Sequence, residues 1–338
     1  MSIEKLTPVI AKTYENFPKG RYITLVVLRE THSETIFRTE GSGEPLCTEF
    51  VQAGLSDSNI IQRLVMTKRK QVAPERRYGR EFLRSHELLY TSKEGSLCSL
   101  NTNSPCEMCV DCFLYGFAAG GGGAQKSRIW TEDAFSILPA TDVIGDRTIN
   151  AIFENGTMRD ENGKASTALN TSEYIKPGVH FLDVVTLKDV TADELRYVIG
   201  NILLTTRYGA VSSRVGRMEN QILGVFGSIT ELPSSLELVQ AVYDIFGQPL
   251  EHPLNSNRLI SATKQVISNW TNRRGVTMQL SDPELTSLIE DVDRHWSEVE
   301  RDNFLKRLSQ SYEPFRQPVT ETKKGKNKGK KTAVEAES

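Results

Sequence analysis

The chain has 338 residues, of which 38% are hydrophobic and 25% are charged, with 41 Lys and Arg against 43 Asp and Glu. This is the composition of a globular protein of one large domain or two smaller ones, which excludes a fibrous or wholly disordered chain. The sequence contains no apolar run of the roughly 18 residues that a membrane span needs, and residues 1–19 lack the apolar core of a secretory signal. It therefore predicts a cytosolic protein that does not enter the membrane.

The end of the chain differs in composition from the body. Residues 322–338 contain six Lys, two Glu and no aromatic residue, so a disordered basic tail is predicted for 321–338. Without residues 322–338, Lys and Arg fall from 41 to 35 and Asp and Glu from 43 to 41, which leaves a body of net charge −6. Nucleic-acid binding by this body would have to depend on local basic patches.

The first half of the chain combines strand patterns with one predicted helix. Residues 21–30 and 33–39 are rich in β-branched and apolar residues, which predicts a strand pair. Ser58 is placed to cap a helix, because the apolar residues of 60–65 recur at helical spacing. Residues 127–138 alternate roughly with period two and are predicted to form a further strand.

The second half begins with a polar stretch that contains two turn-forming Asn-Gly pairs, which predicts a projecting hairpin or long loop at 142–171. Strands are predicted at 174–187 and 221–228. Between them, a helix begins with the Thr191 capping box and ends near Leu204. Three helical stretches close the body, at 234–246, 257–270 and 282–310.

This order of elements corresponds to two β-α-β halves of the ferredoxin-like or RNA-recognition-motif (RRM) type, interrupted by insertions. The predicted fold class is therefore α+β, with a modified RRM-like sheet and C-terminal helices. The predicted units are a discontinuous sheet domain (1–71, 127–141 and 172–233), a cysteine-bearing insertion (72–126), a hairpin insertion (142–171), a helical region (234–320) and the basic tail (321–338).

Four of the five cysteines are crowded into 15 residues, and the turn-forming Ser104-Pro105 pair directly precedes the second of them. A tetrahedral Zn²⁺ prefers four soft ligands, and cysteines separated by two residues supply two of them from one turn. The sequence therefore predicts a structural Zn²⁺ that stabilises the insertion, with His86 as a substitute for the first cysteine. The alternative is that the thiols are small buried apolar groups, as is predicted for Cys47. The four predicted ligands are Cys98, Cys106, Cys109 and Cys112.

A zinc-dependent nucleobase deaminase is the enzyme alternative. Pro105-Cys106-x-x-Cys109 matches half of that signature, and His32-Ser-Glu34 is formally its H-x-E. The match is poor in context, because His32 lies far upstream in a predicted turn and two further cysteines would close the metal site. The five histidines also lack the spacing of a catalytic triad, so no catalytic residue is predicted.

Two segments concentrate positive charge. Residues 63–84 contain eight basic and two acidic residues, with Tyr78 available for stacking on a base and Gly79 for close approach of the backbone. Pro74 and Gly79 are expected to interrupt a long helix, although a solvated basic helix face remains the alternative. Residues 207–217 place three Arg, a Tyr, two Gly and two Ser in a loop, which suits an extended phosphate backbone or is simply a flexible surface loop.

Together these features resemble the RAMP-superfamily backbone subunits of CRISPR effector complexes, with the cyanobacterial type I-D Cascade backbone as the nearest kind. The resemblance covers residues 21–310 approximately. It is strongest in the loop that contains Gly209 and Gly216 and in the segment 177–183.

The resemblance implies a hand-shaped subunit, with the sheet as palm, the cysteine insertion as fingers and residues 142–171 as thumb. Copies stack along a guide RNA (crRNA), hold its phosphates and leave its bases to pair with target DNA, beside other Cascade subunits. The implied RNA contacts are Lys19, Arg21, Lys68, Arg69, Arg76, Arg77, Arg80, Arg207, Arg214 and Arg217. The implied apolar wedges of the thumb are Phe153 and Met158.

The predicted function is accordingly a non-catalytic, guide-binding scaffold. A general single-stranded RNA-binding protein is the nearer alternative and the deaminase the more distant one. Some related backbone subunits cut the target strand with an acidic residue, so cleavage stays open, and Asp57, Asp142 and Asp146 are the loop carboxylates nearest the expected palm and thumb.

Overall fold

The computed structural model describes residues 2–37, 46–119, 123–150, 152, 154, 156–165, 169–209, 215–246 and 250–316. Three sequence predictions fall outside these residues, namely the basic tail at 321–338, the wedge Phe153 and the RNA contact Arg214. The described chain has an α+β fold, with one large antiparallel sheet and helices on both of its faces. No helix in these ranges is long and apolar enough to cross a membrane.

Strands form the centre of the described chain. In chain order they are β1 (Tyr22–Thr31), β2 (Thr48–Gln52), β3 (Ile60–Met66), β4 (Phe117–Ala118), β5 (Ala124–Gln125), β6 (Ile129–Thr131), β7 (Ala134–Pro139), β8 (Ile144–Asn150), β9 (Leu169–Ile175), β10 (His180–Lys188), β11 (Arg207–Tyr208), β12 (Gly216–Ser228) and β13 (Val276–Gln279).

Helices pack around the strands. In chain order they are α1 (Ser2–Lys5), α2 (Lys68–Ser85), α3 (Val110–Tyr115), α4 (Ala140–Val143), α5 (Ala192–Leu204), α6 (Ser235–Phe246), α7 (Ser256–Ser268), α8 (Asp282–Trp296) and α9 (Arg301–Gln310). Short 3-10 turns follow at Asn269–Asn272 and Glu313–Phe315.

The main sheet has β1 and β10 at its centre. Its strand order is β11-β12-β1-β10-β7-β3-β2, with β13 beside β12 and β6 beside β10. In the antiparallel β1–β10 pair, Tyr22 lies opposite Lys188 and Leu28 opposite Leu182. Both strands are buried along almost their whole length, because helices cover both faces of the sheet.

Alternate side chains of β1 enter two separate cores. Leu25 and Val27 pack with α5, α8 and α9 on one face, whereas Val26 and Leu28 pack with α6 and α7 on the other. This separation follows from the two-residue side-chain period of a strand. Helix α2 and the segment that carries the four cysteines (residues 98–112, the cysteine loop), which includes the start of α3, lie on the α5 face.

The strand predicted at 21–30 is present as β1, but two other predictions for this part of the chain are wrong. β1 pairs with β10 and β12 rather than with 33–39, and in the described part of 33–39 only Thr35 forms an isolated bridge. The helix predicted after Ser58 is instead strand β3. Its apolar spacing also fits a helix, but its last four residues are all buried, as in a strand covered on both faces.

Helix α2 runs without interruption through Pro74 and Gly79, so the predicted helix break is wrong. The glycine has a packing role. A Cβ at Gly79 would lie 2.3 Å from the hydroxyl of Tyr197 and 2.5 Å from Oδ1 of Asn201, both on α5. Gly79 therefore allows α2 to approach α5 closely, and it does not expose backbone to a nucleic acid.

The second half of the chain is closer to its predicted elements. Helix α5 begins with the predicted capping box, in which the Glu194 amide donates to Thr191 Oγ1 at 3.3 Å and the Thr191 amide donates to Glu194 Oε2 at 2.7 Å. The long helix predicted at 282–310 divides into α8 and α9 around 297–300. Strand β12 begins at Gly216, so it includes residues that were expected in the preceding loop.

Residues of the predicted hairpin insertion form a separate two-stranded sheet. β8 and β9 pair antiparallel from Ile144 opposite Ile175 to Asn150 opposite Leu169. The pair is attached to the body by the bridge between Thr35 and Ile175. The hairpin therefore forms a sheet of its own, outside the strand order of the main sheet.

Candidate metal centre and nucleic-acid interface

Four cysteine side chains meet at one buried position. Their sulfur atoms all lie within 4.8 Å of one another, and none of the four residues is more than 5% exposed. Three Sγ–Sγ distances are 3.9 Å (Cys98–Cys109), 3.8 Å (Cys98–Cys112) and 3.9 Å (Cys106–Cys112). Four sulfurs placed tetrahedrally about 2.3 Å from a Zn²⁺ stand about 3.8 Å apart. The cluster therefore fits a single tetrahedral ion.

The local backbone explains how the short sequence delivers these sulfurs. The amides of Met108 and Cys109 donate to Cys106 Sγ at 3.4 and 3.3 Å, which closes a tight turn in which Glu107 has φ 63°. Cys109 is the N-cap residue of α3, and Cys112 lies in the first turn of that helix. Hydrogen bonds donated to sulfur favour the thiolate form that binds a metal.

The two histidines considered as ligands lie elsewhere. His86 Nδ1 lies 2.8 Å from the carbonyl oxygen of Phe82, and His32 Nε2 lies 3.4 Å from a carboxylate oxygen of Glu219. Among the described residues, the only group of metal-binding side chains is the four cysteines. A buried set of four sulfur ligands leaves no position for substrate, which is typical of structural metal sites.

Two predictions are wrong, one for a residue next to β2 and one for a residue within β3. Cys47, predicted as core, is exposed, because it directly precedes the edge strand β2. Arg63, counted in the basic segment, is fully buried, and its guanidinium donates to the carbonyl oxygens of Ser136 and Ala53, each at 2.7 Å. Burial lowers the pKa of Arg63 to about 10. The Arg63 side chain holds carbonyl oxygens of β7 and of the turn after β2, so it is not available to a phosphate.

A network of charges joins the cysteine loop to α2. Asp111, between Cys109 and Cys112, is 1% exposed and accepts hydrogen bonds from Arg76 at 2.8 and 2.9 Å and from Arg80 at 2.8 Å. Arg80 also donates to the carbonyl oxygen of Cys98 at 2.6 Å. These contacts favour structural roles for Arg76 and Arg80 over the expected phosphate contacts.

A pocket of about 450 Å³ lies between α2, the cysteine loop and Gly209, which directly follows β11. Five cations of α2 line it, with Asp111 as the single acidic residue. Gly209 forms part of its wall with φ 115°, and a Cβ there would lie 2.8 Å from the carbonyl oxygen of Ile36. The basic helix α2 and Gly209 of the second basic segment therefore border one pocket, although Arg207 and Arg217 do not line it. The five cations are Arg69, Lys70, Arg76, Arg77 and Arg80.

Several predicted RNA contacts on α2 are free to bind a ligand. Lys68, Arg69 and Arg77 are exposed, and among the described residues none of their side chains forms an ion pair, although the Lys68 amide donates to Asp133 at 2.7 Å. Burial together with the neighbouring charges of Arg69 and Arg77 lowers the pKa of Lys70. Uncompensated cations packed this closely form a local site for polyanions on a body of net negative charge.

Arg207 and Arg217 carry a second concentration of positive charge. They lie directly opposite each other in the β11–β12 pair, and both are exposed. Side chains directly opposite in an antiparallel pair project from the same face, where like charges repel. The structure therefore presents two adjacent guanidiniums beside the loop that contains Gly209.

The remaining predicted contacts are less available. Lys19 is exposed but forms an ion pair with Glu15 at 2.7 Å. Arg21 is mostly buried, and its Nε donates to Asp189 Oδ1 at 3.2 Å. Asp189 also accepts from the Lys19 amide at 2.9 Å, so this contact fixes the chain before β1.

The thumb wedge and the candidate acids show no shared site. Met158 is 41% exposed on the hairpin insertion. Asp146 is exposed on β8, Asp142 lies in α4, and Asp57 accepts from the Asn59 amide at 3.0 Å in the β2–β3 turn. None belongs to the metal-binding group among the described residues.

Sequence reasoning missed a buried network that positions α2 and β11. Arg29 on β1 is fully buried and donates to Asp183 on β10 at 2.8 and 3.1 Å and to Glu75 on α2 at 2.8 Å. The Tyr208 hydroxyl of β11 donates to the same Glu75 at 3.1 Å, and Asn220 accepts from Arg29 at 3.1 Å. The available signal was the position of Arg29 and Asp183, each next to a run of apolar residues in a predicted strand.

Comparison with known proteins identifies relatives of this architecture. A family model described as Csc2 Crispr matches residues 9–305, and no curated protein matches the chain. The crystal structure of Thermofilum pendens Csc2 has a similar fold, with a TM-score of 0.57 and 18% identity over 92% of this chain and 96% of that chain. A chain of a CRISPR RNA-guided surveillance complex, pre-nicking, gives a TM-score of 0.44 and 9% identity over 74% of this chain and 89% of that chain.

Proposed function

Because the chain belongs to the Csc2 CRISPR family, we propose that it is the guide-RNA-binding backbone subunit of a CRISPR surveillance complex. In finer detail, the complex is a Cascade of type I-D, of the cyanobacterial kind, that acts in the cytosol. Copies of the chain oligomerise along the guide RNA and contact other Cascade subunits. They hold the guide's phosphates and leave its bases to pair with target DNA, without catalytic residues of their own.

One observation carries the proposal beyond family membership. Five cations of α2 line one pocket, which the cysteine loop and Gly209 also border. Phosphate contacts from Lys and Arg provide sequence-independent affinity, because they release condensed counterions and do not read bases. A scaffold that must accept any guide sequence requires this kind of binding.

The exposed cations define the proposed contact surface. Those on α2 and the β11–β12 pair have no acidic partner among the residues described, so their charge is available to RNA. Arg21, Arg76 and Arg80 are held by carboxylates and would contribute less. The proposed contacts are Lys68, Arg69, Arg77, Arg207, Arg214 and Arg217, with Lys19, which is paired with Glu15, as a weaker one and with Phe153 and Met158 as wedges of the thumb.

We further propose that the ion held by the four cysteines is Zn²⁺ and that its role is structural. Sulfur spacing near 3.8 Å supports a single tetrahedral ion. The insertion at 72–126 contains few regular elements between α2 and β4, so it needs a cross-link to hold its loop against α2.

Fluorescence anisotropy tests the RNA proposal directly. Full-length protein is titrated with single-stranded RNA, double-stranded RNA and double-stranded DNA over a salt series, and stoichiometry is followed against RNA length. Preference for single strands, with copies added in equal nucleotide steps, is expected of a guide-coating scaffold. One copy at every RNA length would identify a general single-stranded RNA-binding protein, and absence of binding would contradict RNA binding altogether.

A matched pair of variants separates the proposed surface from overall charge. Arg69→Gln with Arg77→Gln removes two charges from the pocket, whereas Lys264→Gln with Lys306→Gln removes two charges paired with Asp282 and Asp302 on other helices. The first variant is expected to weaken RNA binding equally for all sequences and to reduce the salt slope by about 0.7 for each phosphate that is no longer neutralised. An equal reduction of affinity in both variants would show that only net charge matters.

A further inference from the structure

We propose that Arg80 is a positioning residue of the cysteine metal centre, and that it serves the metal rather than RNA. This inference rests on the metal proposed above for the four cysteines. It assigns different roles to neighbouring cations of one helix, because Arg77 faces the pocket from an exposed position while Arg80 is only 2% exposed.

The guanidinium of Arg80 contacts the cysteine loop at three residues. One terminal nitrogen lies 4.0 Å from Cys109 Sγ and donates to Asp111 Oδ2 at 2.8 Å. The other donates to the carbonyl oxygen of Cys98 at 2.6 Å. Arg80 therefore spans the first cysteine of the cluster, the third cysteine and the carboxylate that follows it.

Charge balance supplies the reason for a cation at this position. A divalent ion bound by four thiolates retains two net negative charges, and the buried Asp111 adds another. Buried charge is costly unless it is paired and hydrogen-bonded. Arg76, which binds both oxygens of Asp111, and Arg80, which reaches both Asp111 and the sulfur cluster, together supply the compensating charge.

The same contacts fix the geometry of the ligands. Cys98 comes from a loop, whereas Cys109 and Cys112 come from α3, so the four sulfurs are not placed by one element. Arg80 joins the Cys98 backbone to Asp111 of α3 through one guanidinium. Residues that orient metal ligands in this way typically change metal affinity by roughly 10–100-fold when they are replaced.

The test measures Zn²⁺ affinity of the full-length protein by competition with a chromophoric chelator, in the absence of RNA. Arg80→Met is expected to lower the affinity by roughly 10–100-fold, and Arg80→Lys to recover part of it, because lysine restores the charge but not the two-pronged contact. Arg84→Met, an exposed arginine one turn further along α2, is the matched control and should retain wild-type affinity.

Absorption spectra of the Co²⁺-substituted proteins supply a second readout, since a change in sulfur geometry shifts the bands of a tetrahedral thiolate site. A shifted spectrum in Arg80→Lys would support the positioning role even if Arg80→Met fails to fold. Wild-type affinity and an unshifted spectrum in the Arg80 variants would overturn the inference. Wild-type protein that takes up no Zn²⁺ or Co²⁺ would instead contradict the proposed metal itself.

Discussion

Arg207 and Arg217 lie directly opposite each other across the β11–β12 pair, with no carboxylate partner for either among the residues that the structure describes. A cross-strand pair of like charges is unfavourable for folding. Its presence on an exposed surface is explained if a polyanion neutralises both guanidiniums. RNA binding and folding stability therefore make opposite demands on this pair.

Arg217→Glu separates these two demands. It should raise the free energy of unfolding by about 0.2–1 kcal/mol, because it replaces a repulsive cross-strand pair with an attractive one. The same change should weaken RNA binding uniformly across sequences. Chemical denaturation and anisotropy on the same variant measure the two effects. A variant that binds RNA like wild type, or that loses affinity for only some sequences, would contradict a phosphate contact at this position.

Removal of the metal ligands is expected to release the ion and loosen the cysteine insertion. Cys106→Ser with Cys109→Ser deletes two of the four sulfurs, one of which is the Cys106 Sγ that accepts the two hydrogen bonds of the turn. Metal content, measured by elemental analysis, should fall, and limited proteolysis should cut within 72–126. Cys47→Ser is the matched control, since Cys47 is exposed and outside the cluster. Unchanged metal content in the double variant would remove the metal site from consideration.

Gly79→Ala tests the close packing of α2 against α5. Alanine favours a helix by roughly 1 kcal/mol relative to glycine, but its Cβ would lie 2.3 Å from the Tyr197 hydroxyl. We expect net destabilisation, because overpacking of a tight interface costs roughly 1–3 kcal/mol. Adding Tyr197→Phe removes the hydroxyl and should recover part of the stability. Stability equal to or above wild type in Gly79→Ala would show that the helices separate without cost.

The sequence predicted elements well where one local signal dominated. The Thr191 capping box gave α5, and the spacing of the four cysteines indicated a cluster that the structure brings together. Prediction was wrong where a residue's role depends on distant partners. Gly79 suggested a break in α2 but allows contact with α5, and Arg63 was counted in the basic segment but is buried against the carbonyl oxygens of Ser136 and Ala53. Long-range packing and charge pairing determine the roles of such residues, and neither can be read from local composition.

The pairing of strands shows the same limit. The β-branched run of β1 identified a strand, but its partners β10 and β12 lie more than 140 residues away in sequence. Spacing of apolar residues could not distinguish β3 from a helix, because a strand covered on both faces loses its alternation. The neighbour of each strand is set by the whole sheet and by the two cores on its faces.

Arg29→Met is expected to destabilise the protein strongly, since it leaves Asp183 and Glu75 buried without their shared cation. Removal of one partner from a buried ionic group costs roughly 3–5 kcal/mol. Burial raises the pKa of both carboxyls even in the presence of Arg29, which opposes the rise. Without Arg29 that opposition is gone, and the folded-state pKa values should rise further.

The sign of the pH dependence follows from these raised pKa values. A carboxyl with a higher pKa in the folded state binds more protons there, so its contribution to stability is present at low pH and disappears as pH rises through the folded pKa. The penalty of Arg29→Met should therefore be smallest in mild acid and grow towards neutral pH. Denaturant unfolding of wild type and variant across this range measures it. A penalty independent of pH would show that poorer packing, rather than uncompensated charge, causes the destabilisation.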